Sequence, residues 1–151
     1  MDEKSRSGLE PEIKVTMIKM ALEARKNSYS PYSHFQVGAC LLTKEGRLYT
    51  GCNIENAAYG PTNCAERTAF FKAVSEGERD FAGIAIVGDK EGTVVDNYAF
   101  PCGVCRQVMT EFTDPETFVI LVAKSEKDYL ETTLAALLPN AFGPEMKGGN
   151  K

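Results

Sequence analysis

The chain has 151 residues, enough for one domain and too few to house a second independent core. Hydrophobic residues at 43% and charged residues at 25% describe an ordinary globular protein and exclude a disordered or fibrous one. With 17 basic against 21 acidic side chains the net charge is −4, and there is no run of three Lys or Arg, which argues against a nucleic-acid partner and for a small neutral ligand.

In chain order, Met1–Gly8 is polar and charged, without a secretory apolar core. No later stretch approaches the roughly 20 apolar residues that cross a bilayer. The expectation is a cytoplasmic protein with no membrane partner. Residues 1–9 and 145–151 read as loose ends of a single domain spanning 1–151. Residues 11–26 are predicted as a helix: Ile13, Met17, Met20, Ala21 and Ala24 recur at helical spacing, and Pro11 suits the first turn. A turn-rich loop over 27–33 leads into two strands, 35–43 and 47–53, joined as a hairpin by Lys44-Glu45-Gly46. A helix over 64–76 follows, with Thr62 or Asn63 as its cap and Gly77 as its stop. The continuous apolar run over 81–88 predicts a strand covered on both faces. A helix over 103–112, strands over 117–123 and 129–132, and a short helix over 133–138 closed by Pro139 complete the pattern. This order predicts an α/β sandwich with helices over a mixed sheet.

Two of the predicted helices begin at cysteines. Cys102 and Cys105 form a Cys-x-x-Cys pair, whose thiolates can reach one zinc ion at about 2.3 Å each. On its own the pair fits a structural zinc as well as a catalytic one. Cys64 supplies a third thiol at the other helix start, where partial positive charge favours the thiolate. Three thiolates leave a tetrahedral ion one open position for water, the mark of a catalytic site. Glu66, two residues on, is placed beside such an ion without ligating it and can move protons. This combination is a known pattern of zinc deaminases, and it is matched here as a pattern. A structural zinc needs a fourth ligand, with Cys40, Cys52 and His34 as candidates, and none has the short Cys-x(2–4)-Cys spacing to Cys64. Cys40 reads instead as a small buried hydrophobe, Cys52 as a buried inert thiol, and His34 as a solvated loop residue.

With these residues in hand, the sequence resembles the small homotetrameric cytidine deaminases over roughly residues 30–144. The motifs are Ser30-Pro31-Tyr32-Ser33-His34-Phe35-Gln36-Val37-Gly38-Ala39, then Gly51-Cys52-Asn53-Ile54-Glu55-Asn56-Ala57-Ala58-Tyr59, and Cys64-Ala65-Glu66-Arg67. Pro101-Cys102-Gly103-Val104-Cys105-Arg106-Gln107 and Leu137-Leu138-Pro139 with Phe142-Gly143-Pro144 follow. Five motifs in this order are far more specific than any one of them. The resemblance implies a three-layer α/β/α sandwich with a mixed five-stranded sheet and one Zn2+ per subunit, on Cys64, Cys102 and Cys105. It makes Glu66 the proton shuttle, and Arg67 and Gln107 supports behind the thiolates. Arg67 would offset the excess negative charge of three thiolates, which otherwise leaves bound water a poorer acid. Phe100 departs from the family, which tends to carry a smaller residue or proline there, and so does the glycine-rich tail.

The implied substrate is cytidine or deoxycytidine. Asn53 and Glu55 stand two apart at a strand end, on one face, and the resemblance assigns them the sugar hydroxyls. Glu55 would also repel a 5′-phosphate and so favour a nucleoside. The resemblance further implies that Phe35, Tyr59, Ala65 and Phe142 contact the nucleoside, Tyr59 and Phe142 reaching the sites of neighbouring subunits. Two other readings stand beside this one: a deaminase of a cytosine-containing nucleoside antibiotic such as blasticidin S, which shares the zinc motifs, and a non-enzymatic zinc-stabilised domain.

Overall fold

The computed structural model describes residues 8–138; Phe142 and nearly all of both predicted loose ends lie outside the described residues. The elements are α1 (Pro11–Arg25), β1 (Phe35–Thr43), β2 (Leu48–Cys52), α2 (Ala65–Ser75), β3 (Phe81–Lys90), α3 (Gly103–Phe112), β4 (Val119–Ser125), β5 (Asp128–Thr133) and the short α4 (Leu134–Leu137). The five strands form one sheet in the order β2-β1-β3-β4-β5. β3 and β4 run parallel and the other neighbours antiparallel, so the sheet is mixed.

The central strands carry unbroken apolar runs over 37–42, 81–88 and 119–123 because helices cover both faces. Ala39 and Leu41 of β1, Ile84 and Ile86 of β3, and Ile120 and Val122 of β4 pack with α2, α3 and α4 residues. Their alternate neighbours Cys40, Leu42, Ala85, Val87, Leu121 and Ala123 pack with Met17, Ile18 and Ala21 of α1. This gives three layers, α1 on one side and the other helices on the opposite side.

Two glycines set how closely the helices approach. A Cβ on Gly38 would stand 2.0 Å from the Ala21 carbonyl oxygen of α1. A Cβ on Gly51 would stand 2.6 Å from the Ala65 carbonyl oxygen and the Ala69 nitrogen of α2. The first turn of α2 therefore lies directly on β2. That turn carries Ala65 and Glu66.

The buried face of α1 differs from the predicted stripe. It comprises Lys14, Met17, Ile18, Ala21 and Arg25, while Ile13, Met20 and Ala24 are only partly covered. Two charged residues hold positions that hydrophobicity alone assigns to solvent. Lys14 pairs with Glu131 of β5 at 2.5 Å, and Arg25 donates to the carbonyls of Gln36, Lys90 and Thr93. Leu9 is also core, at 2% exposure, rather than part of a loose end; its side chain lies against the space at Gly83.

Candidate metal centre and active site

Cys64 and Cys102 are the residues just before the first turns of α2 and α3. The predicted caps Thr62 and Asn63 do not serve: Asn63 sends its amide to the Thr68 hydroxyl instead. The thiols face each other. The Sγ atoms of Cys64 and Cys102 are 3.8 Å apart, and those of Cys64, Cys102 and Cys105 all lie within 4.8 Å of one another. A disulfide needs about 2.05 Å. Two sulfurs bonded to one tetrahedral zinc at about 2.3 Å stand about 3.8 Å apart, so the cluster has the spacing a zinc ion requires.

The three thiols hydrogen-bond one another and share protons unevenly, Cys64 and Cys105 being raised and Cys102 lowered. The Cys102 thiol is strongly acidified because the Cys105 and Cys64 thiols donate to it, helped by the N–H groups of Cys105 and Val104 at the start of α3. Cys105 is pushed up by the same sharing with Cys102 and Cys64, and then by burial. Arg67 Nη2 donates to Cys64 Sγ at 3.3 Å, and its buried Nε has no partner among the described residues. Burial opposes the Arg67 charge, but hydrogen bonds to Cys64 and Cys105 outweigh it. A guanidinium held this way suits an anionic trithiolate centre.

No fourth protein ligand joins the three among the described residues. Cys40 lies in the cluster on the α1 side of the sheet, where burial pushes its pKa to about 12. Cys52 is half-buried at the end of β2 rather than the fully buried thiol expected. His34 is exposed and faces Glu91 at 3.4 Å, as expected of a solvated loop residue.

A cleft of about 330 Å3 opens over the cluster. Cys64, Cys102, Ala65 and Glu66 line its metal end; Phe35, Val37, Ile86, Ala99 and Phe100 supply apolar walls; Ser33, Asn53, Glu55, Thr62 and Asn63 supply polar groups. Glu66 is 5% exposed, and burial, with the Cys102 sulfur adding to it, raises its carboxyl to about 7. The carboxylate still accepts from its own N–H at the helix start, which works in the opposite direction.

Asn53 and Glu55 both line the cleft, and both are braced. Asn53 Oδ1 accepts from the Val37 N–H at 2.9 Å and the Ser28 hydroxyl at 2.5 Å, while Nδ2 donates to the Phe35 carbonyl at 2.8 Å. The Glu55 carboxylate accepts from the N–H groups of Tyr32 and Ser33 and from the Ser33 hydroxyl. Burial would raise the Glu55 pKa, but the hydrogen bonds from Ser33 and Tyr32 outweigh it and hold it below the usual range. Phe35 follows His34, whose φ of 59° turns the chain sharply before β1.

Tyr59 does not line this cleft. It is 95% exposed and borders a neighbouring hollow with Tyr32, Ser33, Glu55 and Thr62. Gln107 does not stand behind the thiolates within the chain either. Two residues past Cys105 puts it about 200° round α3, and it is exposed. Arg106 takes an inward position that residue type alone did not single out. It donates to the Pro101 carbonyl at 2.9 Å and the Leu137 carbonyl at 3.0 Å, tying α4 to the loop that delivers Cys102.

The model of the cytidine and deoxycytidylate deaminase zinc-binding region matches residues 11–122. The chain belongs to this deaminase family. It is 53% identical over 129 residues to the cytidine deaminase of Sporosarcina psychrophila, covering 85% of this chain and 90% of the relative. The same identity and length hold for the cytidine deaminase of Halalkalibacterium halodurans, with 85% and 93% covered. Among solved structures it is similar to a cytidine deaminase from Burkholderia pseudomallei, with a TM-score of 0.73, 46% identity and coverage of 84% and 97%. Family membership and the thiol geometry together make this a zinc-binding deaminase domain. Among the described residues no helix is long and apolar enough to cross a membrane.

Proposed function

We propose that this enzyme hydrolyses cytidine and deoxycytidine to uridine and deoxyuridine with release of ammonia. The observation that carries the reading is the buried Glu66 carboxyl and the cluster of three thiols, with Glu66, Cys64 and Cys102 lining one cleft in the size range of small-ligand sites.

Cys64, Cys102 and Cys105 would hold the zinc ion, which when bound supplies the Lewis acidity that activates water for attack at C4 of the base. Glu66 takes the proton of the attacking water and passes it to ring N3. The second proton of that water travels through Glu66 to the amino group, which departs as ammonia while the C4 carbonyl forms. Its raised pKa suits this double duty, since a group poised near neutrality both accepts and donates. Arg67 balances the thiolate charge. Phe35 and Ala65 contact the base, and Asn53 and Glu55 face the sugar with their positions fixed by Val37, Ser28, Tyr32 and Ser33. The Glu55 charge disfavours a 5′-phosphate nearby.

The same proposal places the chain in pyrimidine salvage and in a homotetramer, with Tyr59 and Phe142 serving neighbouring sites. Support for assembly is the exposed set Tyr29, Tyr32, Ile54 and Tyr59 beside the cleft. Five free thiols support a reducing, cytoplasmic setting. The test is ultraviolet turnover of cytidine, deoxycytidine, dCMP and blasticidin S by the zinc-loaded protein. Turnover of the two nucleosides alone is expected. Comparable turnover of dCMP would overturn the role given to Glu55, and turnover of blasticidin S alone would replace the substrate.

A further inference from the structure

The chain between β3 and α3 is fixed on both sides of one exposed aromatic ring. Arg25 holds the carbonyls of Lys90 and Thr93. Asp89 accepts from the Asp96 N–H at 2.7 Å and from the Asn97 amide at 3.3 Å. The Tyr98 hydroxyl donates to Asp128 at 2.5 Å, and Lys124 lies over the Tyr98 ring at 4.7 Å. On the far side, Pro101 is buried and its carbonyl is held by Arg106. Ala99 sits against the sheet at Gly88, where an added Cβ would stand 3.1 Å from Ala99 Cβ and Val37 Cγ2 and 3.2 Å from Phe35 Cε2.

Between these anchors stands Phe100, a cleft-lining residue that is still 47% exposed. Its backbone cannot retreat without breaking the contacts on either side. Phe100 thus presents a large apolar face to the cleft from a segment held at both ends. Its place along the cleft tells which part of a ligand meets it. Phe100 is two residues from Cys102, so its Cα lies within about 7 Å of that ligand's Cα. The polar group of Ser33, Asn53 and Glu55 belongs to a different part of the wall, built from the 30–35 loop and the end of β2.

We infer that Phe100 is a specificity-determining wall of the cleft, whose ring packs against the C4–C5 edge of the pyrimidine and excludes bulky substituents there. This rests on the nucleoside deaminase reading. A rigid apolar wall rejects added bulk strongly, whereas the unsubstituted base fits against it. Removing the ring opens space without touching a group that moves protons.

The experiment compares wild type, Phe100→Ala and Phe100→Leu on cytidine, 5-iodocytidine and N4-methylcytidine, each by initial rates of deamination. Pocket contacts of one methylene discriminate by about 10–200-fold, so Phe100→Ala is expected to raise the kcat/KM of a substituted substrate relative to cytidine by about tenfold or more. Phe100→Leu should give a smaller gain in the same direction, and it keeps the test alive if the alanine variant does not fold. For cytidine itself, KM should rise with kcat changed less than about threefold. Using the ratio between variant and wild type cancels the electronic effect of iodine. Unchanged ratios in both variants, or a loss of cytidine kcat without a change of ratio, would overturn the inference. A wild type that deaminates none of the three would instead sink the reaction on which it rests.

Discussion

Gly51→Ala is the sharpest structural perturbation available at the metal centre. The new Cβ would stand 2.6 Å from both the Ala65 carbonyl oxygen and the Ala69 nitrogen, about 0.8 Å inside the 3.4 Å of ordinary contact. Those atoms are helix backbone, so no side chain can swing away. Either α2 moves off β2 or the strand buckles. Overpacking of this kind costs about 1–3 kcal/mol, and in a chain of this length each kcal/mol lowers Tm by about 2–4 °C. Cys64 and Glu66 travel with α2, whereas Cys102 and Cys105 ride on α3. A zinc site tolerates about 0.2 Å in its ligand distances. The variant should therefore lose zinc affinity by at least about tenfold, beyond its loss of stability. Thermal unfolding of the apo proteins and a chelator competition for zinc, run well below both Tm values, separate the two effects. Gly60→Ala is the control, since a Cβ there meets nothing within 4 Å. Wild-type zinc affinity in Gly51→Ala would refute the claim that strand contact fixes the Cys64 ligand.

Two further predictions concern core packing and an ion pair. Phe70 is fully buried, with its ring 5.1 Å from that of Phe81 and 6.0 Å from that of Phe118, so Phe70→Ala should cost about 3–5 kcal/mol in chemical denaturation; a loss under about 1 kcal/mol would contradict this packing. Glu78 is held at about 2 by hydrogen bonds from Arg47 and Tyr49. Because its folded pKa lies below the ordinary 4.5, its contribution is complete above that pH and disappears as pH falls toward 2. Replacing it by Gln should lower Tm at neutral pH and flatten the wild-type decline across that window, and parallel acid limbs would count against it.

The central strands and the start of α3 were legible because their signals are local. An unbroken apolar run over residues 81–88 demands cover on both faces, and the structure supplies it. Cysteines at two helix starts with a carboxylate two residues on are legible as a metal site because they match a known zinc-deaminase pattern, not by spacing alone. What the sequence concealed depends on distant partners. Lys14 and Arg25 are core-facing because Glu131 and three carbonyls receive them, and no periodicity shows that. The start of α2 is legible to within a residue, but its cap is not, because Asn63 gives its amide to the Thr68 hydroxyl. Asn53 was legible as a cleft residue, whereas its bracing of Val37 and Phe35 became visible only once β1 and β2 were paired. For Arg106, the signal was an arginine next to an inward cysteine on a helix, and its two carbonyl partners lie 5 and 31 residues away.

The most direct test of the account takes wild type and Glu66→Gln through one assay, with ammonia release from cytidine and zinc content determined on the same samples. Both proteins should hold about one zinc per chain, and the variant should lose about 10²–10⁴-fold in kcat. A Glu66→Gln protein that keeps its zinc and turns over cytidine at close to the wild-type rate would contradict the claim that this buried carboxylate moves the protons.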